Sequence, residues 1–460
     1  MGDLHGVGRA PGGTMKWKAL RASILLSILF LVVYGSTNYF AAARSGVESC
    51  YCWWEKFIPF VPWLIVPYMS IDLFFVAAPF LCRTDRERRV FANRIVFAIL
   101  AAGTVFLLLP LRFAFERPVM DGWLGVVFNG FRELDKPFNQ CPSLHITLCV
   151  LLATVYLRRT CGIIRVAIAG WFGLILLSPV LTYQHHVVDV LGGFVLAVLC
   201  IYLFPERPRK LAVVPNRRIG WKYFGGAVLF AAGCFALRPW SWVLLWPTVA
   251  FLLMGAAYFR AGPGVYRKRR GRLPITTRAV LWPVLLGQWV SWKYYARQCR
   301  AWDEATPRVW IGRVLTDHEA RQAIDAGVTA VLDLTGEFSE GGPFRAGVYR
   351  QLPVLDLTAP PRETIDSAVE FIRRHARSGI VYAHCKIGYS RSAAAVGSYL
   401  ISCGDAANAD EAIAMLRKCR PSIVIRPEAM ETIRDFERRH VRELPRHAGV
   451  EVPSPTVLPP

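Results

Sequence analysis

The sequence predicts an α-helical polytopic membrane domain of about eight spans, followed by an α/β domain with a central sheet flanked by helices. Three observations carry this expectation. Long apolar runs are confined to residues 20–260, whereas residues 296–450 have the mixed composition of a water-soluble domain. Lys and Arg gather in alternate connections between the apolar runs. In the second half a short apolar segment, 380–383, passes through a Gly-containing loop into an Ala- and Ser-rich helical stretch, 391–401. A chain of 460 residues has room for two or three domains.

Residues 1–21 carry Lys16, Lys18 and Arg21 and read as a cytoplasmic tail. The run 22–42 is too long for a cleaved signal sequence and lacks a small-residue cleavage site, so it reads as a signal anchor. Further apolar segments follow at 57–81, 95–111, 145–157, 166–182, 187–204, 223–237 and 242–259. Positive clusters fall at Arg83, Arg86, Arg88 and Arg89, then at Arg158, Arg159 and Arg165, then at Arg207, Arg209 and Lys210, then at 267–272. That alternation fits eight spans with both chain ends in the cytoplasm. The connections near Cys50, Phe128, Gln184 and Pro239 would then face outward.

The formal charge of +22 is accounted for by these clusters, which orient the chain and attract anionic lipid. No nucleic-acid motif accompanies it, and no nucleic-acid partner is expected. Twelve cysteines lack framework spacing. Three of them, Cys50, Cys52 and Cys141, fall in outer loops, where Cys141 could bridge to either of the others or all could stay free. The expected organisation is a membrane domain at 22–204, an additional helix pair at 205–260, and a basic linker with an interfacial helix at 261–305. The soluble domain at 306–442 and a disordered Pro-rich tail at 443–460 complete it. The stretch 279–292 is too short to span and would lie at the interface, anchored by Trp282, Trp289 and Trp292.

The densest chemistry lies at 381–392, Val-Tyr-Ala-His-Cys-Lys-Ile-Gly-Tyr-Ser-Arg-Ser. A loop entering a helix N-terminus aims its N–H groups at one point, so Lys386, Ile387, Gly388, Tyr389 and Ser390 would cradle a phosphate over Cys385. Helix dipole, loop amides and Arg391 all favour thiolate, the form that attacks phosphorus. Gly388 permits the tight turn. Residues 307–442 resemble a dual-specificity phosphatase domain of the cysteine phosphatase superfamily. Segments 309–312 (Val-Trp-Ile-Gly), 327–334 (Gly-Val-Thr-Ala-Val-Leu-Asp-Leu) and Arg420-Pro421 stand where that family has its first strand, second strand and closing motif. The resemblance implies that Cys385 is the nucleophile and Arg391 the phosphoryl clamp. It also implies that Ser392 stabilises the leaving thiolate and His384 tunes the loop. A leaving alkoxide needs a proton, and Asp356, in the Pro-bearing stretch 353–361, stands at the family's spacing for the general acid.

The membrane half holds a second constellation. Cys141-Pro-Ser-Leu-His145 and Gln184-His-His-Val-Val-Asp189 both lie at outer span ends, where polar groups are costly unless they line a cavity or do chemistry. His185 and Asp189 share a helix face, so the carboxylate can orient the imidazole for attack on phosphorus. His145 can protonate the leaving oxygen, with Arg112, Arg117 and Lys136 available to neutralise phosphate. The pattern resembles the phosphatidic acid phosphatase type 2 superfamily over about 57–204. The joined halves resemble bacterial inner-membrane fusions of the two phosphatase types. Arg117-Pro118 matches the end of that family's first motif. Pro110, Leu144 and Pro179 depart from its Lys, Gly and Arg.

The expected activity is hydrolysis of phosphomonoesters through a phosphocysteine, on phospholipid headgroups or phosphoproteins, with a second lipid-phosphate phosphatase or phosphotransferase site in the membrane. Rival readings are a signalling protein phosphatase with a membrane anchor, a lipid headgroup synthase, and a lipid-binding scaffold. Neither mechanism calls for a cofactor or metal, and no metal-ligand spacing is evident.

Overall fold

The computed structural model describes residues 12–134, 136–208, 211–236 and 241–443. The Pro-rich tail from 444 onward and the connection around Pro239 lie outside them. The chain divides into two compact units, 1–208 and 209–460.

The first unit is helical: α1 (Gly12–Ala42), α2 (Ile65–Leu81), α3 (Asp85–Leu108), α4 (Gly122–Leu134), α5 (Leu144–Arg159), α6 (Gly162–Leu181) and α7 (Val187–Leu203). Thr84 caps α3 by accepting from the Glu87 N–H, and Ser143 caps α5 by accepting from that of Ile146. On α3 the buried positions Phe91, Ile95, Ala98, Ile99, Ala102 and Phe106 fall along one helical stripe and pack with Leu148, Leu152, Phe172 and Ile175. Its opposite face exposes Leu100, Leu107 and Leu108. A helix apolar on both faces suits a surrounding of lipid. Among the described residues 4 helices are long and apolar enough to cross a membrane: α1, α2, α3 and α6. The other apolar segments expected to span also form helices, but α5 and α7 have 16 and 17 residues. Helix α4 was not expected; its Phe128 is buried against Ile65 and Tyr68.

The second unit opens with α8 (Arg217–Ala236), α9 (Leu245–Ala256) and α10 (Ile275–Ala296). An α/β domain follows: β1 (Trp302–Thr306), β2 (Val309–Gly312), α11 (Asp317–Asp325), β3 (Val328–Thr335), α12 (Gly342–Ala346), β4 (Val348–Val354), α13 (Arg362–His375), β5 (Ile380–His384), α14 (Ser390–Cys403), α15 (Ala409–Cys419) and α16 (Pro427–Glu443). The sheet order is β1-β2-β5-β3-β4, antiparallel only between β1 and β2. Strand β5 is central and buried over Val381, Tyr382, Ala383 and His384, as parallel strands covered on both faces are. Its carboxyl end releases the chain into the loop ahead of α14, the edge where open parallel sheets hold ligands.

The basic stretch before α10 is more than a linker. Lys268 is 4% exposed and donates to the Asp333 carboxylate, with further bonds to the Thr335 carbonyl at 3.1 Å and hydroxyl at 3.0 Å. Replacing Lys268 with Met leaves a buried carboxylate without its cation, which costs about 3–5 kcal/mol. Denaturant unfolding should therefore shift to a markedly lower midpoint; an unchanged midpoint would show that the pair contributes nothing net.

Candidate active site

The loop between β5 and α14 is fixed from behind before any ligand arrives. Gly388 has φ +77, and a Cβ there would lie 2.5 Å from the Gly312 carbonyl carbon and oxygen, so only glycine allows this crossing beneath β2. Arg420, fully buried, donates to the Ile387 carbonyl at 3.0 Å and pairs with Asp303. Ser390 uses its hydroxyl structurally, donating to the Val424 carbonyl at 2.9 Å and accepting from the Arg426 N–H at 3.0 Å. The closing motif thus acts as a brace for the loop.

At the centre, Cys385 is 3% exposed and its Sγ lies 3.4 Å from Ser392 Oγ. Burial pushes the thiol up, but Arg391, the Ser392 hydroxyl and backbone groups of Ser392 and Tyr389 outweigh it and hold the group below the ordinary thiol range. Arg391 enters as a fork on Glu337, Nη1 to Oε2 at 3.1 Å and Nη2 to Oε1 at 2.6 Å. It also donates to the Val354 carbonyl at 2.9 Å and to Asp356 Oδ1 at 3.2 Å. A bidentate carboxylate fixes the plane of a guanidinium. Glu337 was not recognised from sequence, since a lone Glu after a strand has no local signature. The one available hint was its place in the Gly-containing turn that follows β3.

Asp356 does come to the site, facing Arg391 and lying 3.4 Å from Lys386 Nζ. Burial would raise its carboxyl, yet Arg391 and Lys386 outweigh that and hold it below the usual carboxylate range. The side chain keeps 22% exposure, which weakens the burial effect and agrees with that direction. Lys386 follows Cys385 at the start of the loop. Its ammonium is committed to Gln288 Oε1 at 2.7 Å and Ser291 Oγ at 2.9 Å, both on α10, because that helix supplies two acceptors alongside the loop.

His384 is fully buried, stacked on Tyr382 and 2.8 Å from Glu340 through Nε2. Burial lowers its pKa, but Glu340 and Asp333 prevail and raise it, favouring imidazolium beneath the loop. Asp333, Glu340 and His384 are close enough to ligate one ion. Lys268 and the Tyr349 hydroxyl already engage Asp333 there, so a side-chain ammonium provides the positive charge a cation would bring.

In the first unit the expected residues are only partly gathered. His185 Nδ1 lies 3.7 Å from Asp189, too far for the expected hydrogen bond, because Asp189 Oδ2 accepts from the His186 N–H at 2.8 Å at the start of α7. His186 is structural: Nε2 accepts from the Ala114 N–H, so Nδ1–H donates to buried Glu55 at 2.9 Å. His145 stacks on Tyr68 with ring centroids 4.2 Å apart. Arg117 donates through Nε to the Tyr183 carbonyl, one residue before the Gln184 motif. Arg112 is exposed, and Lys136 lies over the Tyr39 ring at 5.5 Å. Cys50, Cys52 and Cys141 are free thiols.

Residues 310–439 match the family model described as "Dual specificity phosphatase, catalytic domain". This segment is a dual-specificity phosphatase domain. The human protein "Phosphatidylglycerophosphatase and protein-tyrosine phosphatase 1" is 29% identical to the chain over 174 residues, covering 35% of this chain and 86% of the human one. The Arabidopsis thaliana "Phosphatidylglycerophosphate phosphatase PTPMT1" is 27% identical over 189 residues, 39% of this chain and 54% of that protein. A solved structure of PTPMT1 with PI(5)P is 26% identical and covers 31% of this chain and 98% of its own, with a TM-score of 0.29. The chain is thus similar to phosphatases named for a phospholipid and for protein tyrosine.

Proposed function

We propose that the chain is a multi-pass membrane phosphatase that hydrolyses a phosphomonoester on a lipid headgroup through a phosphocysteine at Cys385. One observation carries the chemistry: a thiol held below its ordinary pKa range beside a guanidinium that Glu337 locks in plane. The Cys385 thiolate attacks phosphorus, forming S–P and breaking P–O, while Arg391 and the loop N–H groups of Lys386, Ile387, Gly388, Tyr389 and Ser390 hold the equatorial oxygens. Asp356 donates a proton to the departing oxygen and then takes one from the water that cleaves S–P. Ser392 donates to the thiolate as it leaves. In the resting site Arg391 and Lys386 keep Asp356 ionised; a bound phosphate dianion draws Arg391 to itself and restores the carboxyl's affinity for a proton.

A lipid substrate is supported by α10. It holds Lys386 through Gln288 and Ser291, and its exposed side chains include Trp282, Leu286, Trp289, Val290 and Tyr294. Indoles and a tyrosine on such a face suit the headgroup level of a membrane, as expected for the interfacial helix. The relatives' names suggest phosphatidylglycerophosphate as the first substrate to try. Full-length protein in mixed micelles should favour it over a phosphotyrosine peptide by about tenfold or more in kcat/KM, a gap of ~1.4 kcal/mol. The reverse preference selects the signalling reading, with the spans as anchor.

A second reading concerns the first unit, as a lipid-phosphate phosphatase or phosphotransferase site facing the periplasm or exterior in a protein of about eight spans. It is supported by buried polar atoms without hydrogen-bond partners: His145 Nε2, His185 Nδ1 and Asp189 Oδ1. Such atoms are costly unless a ligand completes them. In this reading His185 is phosphorylated, Asp189 supports it, His145 is the acid, and Arg112, Arg117 and Lys136 are the candidate cations. Phosphohistidine at His185 after incubation with a lipid phosphate would support it; a headgroup synthase would pass the group to an alcohol and yield a new lipid.

A further inference from the structure

The Asp356 loop is held from outside the α/β domain. Asn216, just ahead of α8, donates through Nδ2 to the Leu357 carbonyl at 2.8 Å. Tyr258, in the wide turn that ends α9, donates through its hydroxyl to the Asp356 carbonyl at 2.9 Å. The two donors are tied to each other, since the Asn216 N–H donates to the Tyr258 carbonyl at 3.0 Å. Tyr258 is 1% exposed and stacks on Tyr223 of α8 at 5.5 Å. Asn216 is oriented by accepting from the Ile219 N–H at 3.3 Å through its other amide atom. Successive carbonyls of the acid loop are therefore gripped at one end of the α8–α9 hairpin.

The grip falls where the backbone most needs it. Leu357 has φ +61, a left-handed conformation that a leucine resists and that persists only when its surroundings impose it. That turn sets the direction of the Asp356 carboxylate toward Arg391 and Lys386. Released, the loop would relax toward ordinary backbone angles and carry the carboxyl away from the leaving oxygen.

We propose that Asn216 and Tyr258 are positioning residues for the general acid, so that the α8–α9 hairpin is a working part of the phosphatase. This rests on the reading of Asp356 as that acid. A misplaced acid penalises only substrates whose leaving group needs a proton. A merely structural role would lower all rates together.

The test uses full-length Tyr258→Phe, Asn216→Ala and the double variant beside Asp356→Asn, each assayed with an alkyl phosphate and with 2,4-dinitrophenyl phosphate. Orthovanadate affinity reports whether the phosphate loop is intact. The double variant should lose about 10- to 100-fold in kcat/KM on the alkyl ester, and less than about threefold on the dinitrophenyl ester. Its vanadate affinity should be retained. Equal losses on both esters, or none on either, overturn the positioning role. Loss of vanadate affinity in the isosteric Tyr258→Phe also overturns it, because the hydroxyl would then support the whole site. If Asp356→Asn itself shows no dependence on the leaving group, the acid assignment falls and takes this inference with it. If Asp356→Asn shows the dependence and the hairpin variants do not, only the hairpin role is lost.

Discussion

Cys385→Ser should abolish phosphate release from aryl phosphates, with a fall of roughly four orders of magnitude or more, the scale on which removing a nucleophile acts. A serine hydroxyl in the same loop keeps the shape but not the charge. Arg391 and the loop amides hold the thiol below its ordinary range, yet they cannot ionise an alcohol whose pKa lies far higher. Alkylation by iodoacetamide gives the companion measurement. Its rate at Cys385 follows the thiolate fraction, so it should rise with pH through a midpoint below the ordinary thiol value of about 8.5. Full activity in the purified serine variant would show that another group attacks phosphorus.

Arg391→Lys should cost about 10²–10³-fold in kcat/KM, with the alkylation midpoint of Cys385 moving upward. The guanidinium makes two parallel bonds to Glu337 and still presents donors to Val354 and Asp356. A lysine carries the charge but not the fork, so the plane facing the phosphoryl oxygens is lost. Arg391 is 2% exposed, and a poorer partner for buried Glu337 should also lower the thermal midpoint. A loss below about fivefold in kcat/KM would mean that the loop amides suffice and the clamp is dispensable.

What could be read from the chain depended on how local each feature is. Strand β5, the loop after it and the start of α14 occupy consecutive residues, so the proposed nucleophile Cys385 and its neighbours Arg391 and Ser392 were legible together as candidates. Asp356 was legible through its Pro-bearing stretch, although its partners were not. Glu337, Lys268, Asn216 and Tyr258 act through tertiary contacts made many residues away, and each has an ordinary surface or core reading in sequence. Lys268 is the clearest case: it sits in a run of basic residues that reads as solvent-facing, yet it is buried against Asp333. In the first unit the apolar segments proved helical, but hydropathy gave no hint that Asp189 would cap α7 instead of holding His185, or that Glu55 would claim His186. Helix α4 was missed because it lies in a connection whose apolar residues are interrupted by Gly122, Gly125 and Gly130.

The most direct measurement is rapid acid quench of the full-length protein during turnover of a phosphomonoester, followed by peptide mapping for a covalently bound phosphoryl group. With 2,4-dinitrophenyl phosphate, whose leaving group needs no proton, and Asp356 replaced by Asn to slow cleavage of the S–P bond, the adduct should accumulate on the peptide bearing Cys385 and vanish in Cys385→Ser. Turnover with no phosphoryl group on that cysteine, or with the group found instead on His185, would contradict the phosphocysteine mechanism.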